Sequence, residues 1–563
     1  MEMDPATKEI IRRLEEGLVS VDEVMFFLDH PEFEHRPVGI HEFITSPDYL
    51  NAADECWPAI LEDLEEIFNE PPTSRRLSHF QEIVRDMGIG SGKSFRVTYI
   101  FCYAVYRLLC LREPQRFYPG LAKGSKIALV NTSLSAPQAK RVVFGDIVER
   151  VKNSPWFQKY ALPDPTVQSE LRFPKNIVIF PASSSETAPL GYNIFMANID
   201  EASFFTQTDT HDVAQEIHDG LDRRITSRFG EDGLLCVISS PRYVDDFTER
   251  KMEEARTNPL VSAKRRATWE NKPEDIEMIA RGETFELVHP QSGETVKIPK
   301  KYEKAFRRNP MKAWRDFGAV ASLALDPYLD MNEQERIAAI VAAGAPVPCV
   351  ANAIDPSFAP EPGLMYYVHI DLGQRRDACG FAMGAMNAQG VVKVPLILRI
   401  VSELRAQELR AGGQTFDMIL GRDQISFDAV REIVYALSER GFPIMCVSYD
   451  QFQSVDSRQI LEGRGYLTKL ISVDRDMKGY DTFKDLLNMS RFNCCAHAHF
   501  LLECKRLELR DGKKVDHPPH GSKDCADAVA GVCLSIAESF DVVVEEEEVQ
   551  TDDFDRVEVT PQI

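Results

Sequence analysis

Apolar and polar positions change their rhythm several times along the chain. Over the first seventy residues, VDEVMFFLDH and CWPAILEDLEEIF place apolar side chains near helical spacing, which predicts helices. From residue 71 to about 345, short apolar runs alternate with amphipathic stretches. The runs are FQEIVRD, KIALVNTS, NIVIFPA, NIFMANID and LLCVISSP, and helical patterns such as residues 135–151 and HDVAQEIHDGLDRRITSRF fall between them. Such alternation predicts a parallel sheet whose crossover helices cover both faces. Between 346 and 363, Pro346, Pro348, Pro356, Pro360 and Pro362 withdraw backbone donors, so a linker is expected there. Residues 364–540 then read as a second, mixed α/β unit. LMYYVHIDLG, ACGFAMGAM and VVKVPLILRIVSEL look like consecutive strands, followed by a helix at 427–441, the strand PIMCVSYD and a helix through DCADAVAGVCLSIAESF. Residues 541–563 read as a solvated acidic tail.

Composition narrows the class. A chain of 563 residues exceeds what one hydrophobic core organises, and 44% hydrophobic with 27% charged residues excludes collagen-like, mucin-like and wholly disordered chains. No apolar run approaches the roughly 18 residues that a membrane helix needs, and the acidic start MEMDPATKEI lacks the apolar stretch of a secretion leader. The twelve cysteines form no CxxC pair, so free thiols in a reducing compartment are expected. The net charge of −23 sits at the ends: residues 1–70 carry −15 and residues 541–563 carry −8, which leaves the body neutral. A global DNA-attracting field is therefore absent. One local basic run stands out, Lys297, Lys300, Lys301, Lys304, Arg307, Arg308, Lys312 and Arg315, as either a solvated helix face or a phosphate-contacting patch.

The sharpest chemistry lies at Gly88-Ile89-Gly90-Ser91-Gly92-Lys93-Ser94, after a strand and before the apolar helix FRVTYIFCYAVYRLL. Glycines there let backbone N–H groups close around phosphates, and the helix end adds positive potential. Lys93 is placed to reach the β- and γ-phosphates of ATP, and Ser94 to ligate Mg²⁺. The usual first glycine of this P-loop pattern is Met87. The strand at 194–201 ends in Asp200-Glu201, a Walker B arrangement in which Asp200 holds the Mg²⁺ shell and Glu201 polarises the attacking water. A further strand ends in Ser239 and Ser240, which read either as a γ-phosphate sensor that couples hydrolysis onward or as a simple turn. Together these make the first domain a P-loop ATPase of the RecA/ASCE-like kind.

In the second unit, Asp371 lies inside a strand, Asp450 closes another, and Asp524 and Asp527 open a helix one turn apart. A carboxylate within an apolar strand is costly unless paired or metal-bound. This is the layout of an RNase H-like nuclease, in which such residues hold two Mg²⁺ or Mn²⁺ ions roughly 4 Å apart for phosphodiester cleavage. Asp371 is expected to bridge the two ions.

The order GxGSGKS, NIDEA, VISSPR, HIDLG, SYD and SKDCADAVAG over roughly residues 40–535 resembles the large terminase subunit of tailed bacteriophages. The resemblance implies ATP-driven packaging of double-stranded DNA into a preformed capsid, and cutting of concatemers. It also implies docking on a portal protein as a ring-forming homo-oligomer, DNA delivery by a small terminase subunit, and residence in the host cytoplasm rather than the mature virion. Ile89 stands where that family commonly has Arg. Arg223, Arg224 and Arg228 follow Walker B, and Arg224 or Arg228 is expected to act in trans as an arginine finger. A helicase–nuclease of repair or recombination and a non-catalytic ATP-binding virion component remain alternative readings.

Overall fold

A computed structural model describes Arg12 and residues 20–134, 143–164, 169–183, 192–205, 207–208, 211–373, 377–411, 414–450, 454–473, 475–519 and 521–548. The chain divides into two compact units, with the boundary between Ser322 and Leu323.

The first unit opens with helices α1 (Val21–Asp29), α2 (Ile40–Thr45) and α3 (Pro58–Ile67). Ser20 begins α1 through a capping box with Glu23. The sheet strands are β1 (Glu82–Met87), β2 (Ile127–Ser133), β3 (Leu171–Phe173), β4 (Ile177–Ser183), β5 (Asn193–Asp200), β6 (Leu234–Ser239) and β7 (Val261–Arg266). Their spatial order is β3-β4-β2-β5-β6-β1-β7, parallel throughout except for β3. Helices α4 (Lys93–Cys110), α5 (Val143–Asn153), α6 (Val213–Phe229) and α7 (Phe247–Glu254) complete the fold. The central strands are buried along their whole length, as their unbroken apolar runs predict. The part of the expected helix that falls on 135–142 lies outside the described residues.

The acidic N-terminal region is continuous with this unit. Phe43, Ile44, Ile60 and Leu64 share one core with Tyr103 and Tyr106 of α4, and Phe43 stacks on Tyr106 at 4.5 Å. A buried ion cluster ties the layers together: Asp63 of α3 accepts from Arg85 Nε at 3.0 Å and pairs with Arg96 at 2.7 Å, all three side chains having no exposed surface. Burial alone would raise the Asp63 carboxyl, but Arg85 and Arg96 hold it down at about 2. Its folded value lies below the unfolded one, so its contribution is present above the ordinary carboxylate range and fades as pH falls toward 2. Asp63→Ala leaves two buried guanidinium groups without counter-charge, and a loss of about 3–5 kcal/mol is expected in urea denaturation.

The basic run sits on a small annex after β7. It comprises a hairpin of β8 (Thr284–Val288) and β9 (Thr295–Pro299), then α8 (Glu303–Arg308) and α9 (Pro310–Asp316), packed around Trp269, Tyr302, Phe306 and Trp314. Lys301 pairs with Glu274 and Asp275, Arg307 with Glu303, and Arg315 with Asp316. Lys300, Lys304, Arg308 and Lys312 recur at four-residue intervals.

In the second unit, α10 (Met331–Ala343) comes first. The sequence pattern assigns it to the ATPase domain. It packs instead on later helices of the second unit, because Ile337 and Val341 join that core. The expected linker is likewise corrected. Val347 and Phe358 pack on the second core, Cys349–Val350 pairs with Ala353–Ile354, and Arg440 donates to the Asp355 and Ile354 carbonyls at 2.7 and 3.0 Å. The prolines exclude helix there but leave a chain that lies on apolar surface.

The second sheet contains β10 (Tyr366–Asp371), β11 (Cys379–Met386) and β12 (Val392–Val401) as an antiparallel meander, then β13 (Ile444–Tyr449) parallel to β10 and β14 (Thr468–Leu470) beyond it. Helices α11 (Phe427–Glu439), α12 (Lys478–Asn488), α13 (Ala498–Arg506) and α14 (Asp524–Glu548) pack around it. The last helix corrects the tail: residues 541–548 continue α14, and residues 549–563 lie outside the described part. Among the described residues, no helix is long and apolar enough to cross a membrane.

Candidate ATPase and nuclease sites

The glycine-rich loop joins the C-terminal end of β1 to α4, beside the ends of β6 and β5. Gly90 and Gly92 have φ of +79° and +83°, values that disfavour any side chain. Gly92 also lies against α3, where a Cβ would come within 2.7 Å of Ile60 and 3.1 Å of Trp57. The loop is anchored from behind by Gly88 N–H to Arg266 O at 3.1 Å and Ile89 N–H to Asp316 O at 2.6 Å. Thr268 Oγ1 donates to Ile89 O at 2.8 Å. The amides that begin α4 have no intrahelical acceptor, so the loop presents donors at a helix N-terminus. Ser91 Oγ is buried with no partner among the described residues, and Ser94 is half-buried in the first turn.

Lys93, Glu201 and Ser240 meet in this notch. Lys93 Nζ donates to Ser240 Oγ and lies 3.4 Å from Glu201 Oε1. Glu201 turns left-handed at φ +55°, a strained value for a residue with a side chain. The turn is held by Glu201 N–H to Ile238 O at 2.8 Å and Ser240 N–H to Glu201 Oε2 at 3.3 Å. Asp200 is buried and accepts from Ser133 Oγ at 3.3 Å. Burial, then the adjacent Glu201, push its carboxyl up to about 7 against the pull of Lys93. A buried carboxyl raised in this way is chemically suited to a cation, so Asp200 and Ser94 fit the Mg²⁺ of a nucleotide. Ser239 Oγ accepts from Ser203 N–H at 3.1 Å, and Ser203 Oγ bonds Thr248 Oγ1 at 2.8 Å, which leads from the notch into α7.

Arg223, Arg224 and Arg228 do not join this site. They lie on the C-terminal half of α6, which runs back toward the opposite edge of the sheet and ends where Phe229 packs on Phe195. Sequence reading misses Asp86, at the end of β1, and its partner Arg265 at 2.7 Å. Burial, with Asp246 and Glu249 nearby, raises Asp86 to about 7 despite Arg265. The available signal is an aspartate within the wholly buried strand EIVRDM, whose partner lies on the neighbouring basic strand VSAKRR.

In the second unit, Asp371 is the last residue of β10 rather than mid-strand, and Asp450 directly follows β13. Ile370 and Tyr449 are register partners in these parallel strands, so the two aspartates stand side by side at one edge of the sheet. Helix α14 crosses the neighbouring face with almost no clearance. A Cβ on Gly380, the register partner of Asp371, would collide with Asp524 O, and one on Gly531 would collide with the His369 ring. These contacts bring Asp524 and Asp527 to Asp371. Burial raises Asp371 well above the carboxylate range, and Asp527, Asp524 and Asp450 raise it further. Asp524 is raised by burial and by Glu503, against Arg399.

Among the described residues, no three His, Cys, Asp or Glu side chains close into a set that would hold a metal ion. The donor chemistry fits a divalent cation nonetheless, because several carboxylates raise one another at one sheet edge. Asp527 departs from the expected ligand role: its oxygens accept from Tyr480 at 2.5 Å and Lys523 at 2.6 Å. Sequence reading also misses Glu503, which accepts from Ser522 Oγ at 2.7 Å and Ala526 N–H at 2.9 Å and so fixes the start of α14. Nothing in its local pattern separates it from a surface helix glutamate.

Comparison with known proteins adds to this geometry. Residues 14–287 match the family model described as the N-terminal P-loop domain of the uncharacterized protein MJ0330. The first unit is a P-loop domain. Among solved structures, the chain is similar to the HK97 bacteriophage large terminase, at 15% identity over 88% of this chain and 98% of that one, with a TM-score of 0.44. It is also similar to a large terminase from a thermophilic bacteriophage in complex with ATP-γ-S, at 12% identity over 84% and 98%, with a TM-score of 0.32. The large terminase nuclease of thermophilic phage G20c with bound magnesium covers 34% of this chain and 93% of its own, at 11% identity and a TM-score of 0.25. No curated protein matches the chain.

Proposed function

We propose that this chain is the motor subunit that hydrolyses ATP to drive double-stranded DNA into a prohead and cuts the concatemer with a two-metal nuclease. The observation that carries the reading is the pairing in one chain of two different sites. One is the Lys93–Glu201–Ser240 interlock at a P-loop, and the other is the carboxylate edge of a mixed sheet around Asp371. Lys93 holds the β- and γ-phosphates, Ser94 and Asp200 hold the Mg²⁺ of ATP, and Glu201 orients the attacking water. Ser239 and Ser240 pass the state of the site to Ser203 and α7. Asp371, Asp450 and Asp524 hold two Mg²⁺ or Mn²⁺ ions, which when bound supply an activated water and stabilise the leaving oxygen.

The runner-up, a helicase–nuclease, needs a second RecA-like lobe. The second sheet is an antiparallel meander with parallel additions, which supports the packaging reading over that one. The partners follow from the same reading: a portal protein, a small terminase subunit and further copies of the chain in a ring, in the host cytoplasm and transiently at the portal vertex. The deciding experiment supplies the purified chain with empty portal-bearing capsids, DNA and ATP. DNA protected from nuclease only when ATP is present supports the proposal, and unwinding without entry replaces it by the helicase reading.

Two finer parts have their own tests. Arg224 or Arg228 acts on a neighbouring subunit, so mixing inactive Lys93→Ala chains with inactive Arg228→Ala or Arg224→Ala chains is expected to restore some ATPase activity. No recovery in any mixture removes the trans role. Lys300, Lys304, Arg308 and Lys312 contact DNA phosphates. Replacing all four by Gln is expected to weaken DNA binding and flatten its salt dependence by roughly one unit of slope per lost contact.

A further inference from the structure

Lys523 is the residue before α14, and its side chain turns back along the helix instead of reaching solvent. It is 7% exposed, and lysine is rarely buried unless paired. Its Nζ donates to Asp527 Oδ2 at 2.6 Å, one helical turn on. The other oxygen of Asp527 accepts from the hydroxyl of Tyr480, which is wholly buried on α12. Asp527 is thus gripped from two elements, while Asp371, Asp450 and Asp524 stand at the same edge. The neighbouring carboxylate, Glu503, is engaged by Ser522, His499 and the Ala526 amide. The nearby guanidinium of Arg399 donates to the Thr415 carbonyl and pulls on Asp524, not on the Asp371–Asp527 pair. Among the described residues, the ammonium beside Asp371 and Asp527 is that of Lys523.

We propose that Lys523 is the resident counter-cation of the carboxylate edge: its ammonium, paired to Asp527, holds the cluster together in the metal-free chain and competes with divalent ions for it. The inference rests on the metal-centre reading given above. A tethered ammonium draws on the same carboxylate charge that a divalent ion needs, and it does so at high local concentration. Binding of the ion therefore costs the loosening of one ion pair, and the edge accepts metal less tightly than four aspartates alone would.

The test measures Mn²⁺ binding to the full-length chain by calorimetry, without DNA or nucleotide, so that the readout is affinity rather than cleavage. Lys523→Met is expected to bind Mn²⁺ about tenfold more tightly than wild type, the scale for removing one charge a few ångströms from a partly solvated site. Lys523→Arg keeps the charge and is expected to stay within about twofold of wild type. Unchanged or weaker binding by Lys523→Met overturns the proposal, and Lys523→Gln carries the same comparison if the Met variant does not fold. Asp371→Ala separates the two levels. If it binds Mn²⁺ like wild type, the metal-centre reading itself fails. If it loses binding while Lys523→Met is unchanged, only the role of Lys523 falls.

Discussion

The Lys93→Ala chain is expected to hydrolyse no measurable ATP while still cutting plasmid DNA at close to the wild-type rate. Lys93 supplies the ammonium between the P-loop, Glu201 and Ser240, and on the proposed reading its loss removes the charge that neutralises the phosphates as the γ-phosphoryl group transfers. The carboxylates of the proposed nuclease site belong to the other compact unit. Glu201→Gln tests the neighbouring role more finely. The amide keeps the shape of the left-handed turn and an acceptor for Ser240 N–H, so ATP still binds. Without a carboxylate to orient water, turnover is expected to fall at least ~100-fold. DNA-stimulated phosphate release and nucleotide binding, measured on both variants, check this. Normal turnover by Glu201→Gln would remove that residue from the mechanism.

Asp371→Ala and Asp450→Ala should each abolish cleavage in Mg²⁺ or Mn²⁺ and leave ATP hydrolysis intact. The two carboxylates end adjacent parallel strands, which fix both positions. At the helix the two substitutions separate. Asp524→Ala removes the carboxylate of a residue whose backbone carbonyl lies against Gly380, the register partner of Asp371, and a severe loss is expected. Asp527→Ala removes a group already engaged by Tyr480 and Lys523, so a partial loss is expected. Supercoiled-plasmid digestion by the four single variants at matched metal concentration is the measurement. Full cleavage by Asp371→Ala would sink the nuclease reading and leave the second unit as a DNA-binding module.

Much of this is legible in the sequence alone. The five apolar runs of the first unit become parallel strands because a strand covered on both faces has no polar side to write into the sequence. The meeting of Lys93, Glu201 and Ser240 can be anticipated, since each follows a strand end on one edge of such a sheet. What stays hidden depends on packing across long separations. Ile337 and Val341 show the same helical periodicity whichever core they enter, so the pattern alone places α10 in the wrong unit. The proline-rich stretch looks like a linker because proline speaks against helix but says nothing about whether Phe358 finds Phe442, which it does at 5.0 Å. Lys523 stands inside one of the motifs that carry the resemblance, yet its role is invisible there. Tyr480, which shares Asp527 with it, lies more than forty residues earlier on another helix.

The glycines at 380 and 531 carry a consequence of their own. Each removes a side chain where helix and sheet touch, so the distance between Asp524 and Asp371 is set by bare backbone thickness rather than by either aspartate. A single methyl group at either position would act as a shim under the helix. The shim would pry the carboxylates apart without altering any charge. On the proposed reading, cutting would change through volume alone, at positions no inspection of acidic residues would select, while the P-loop unit keeps its own chemistry.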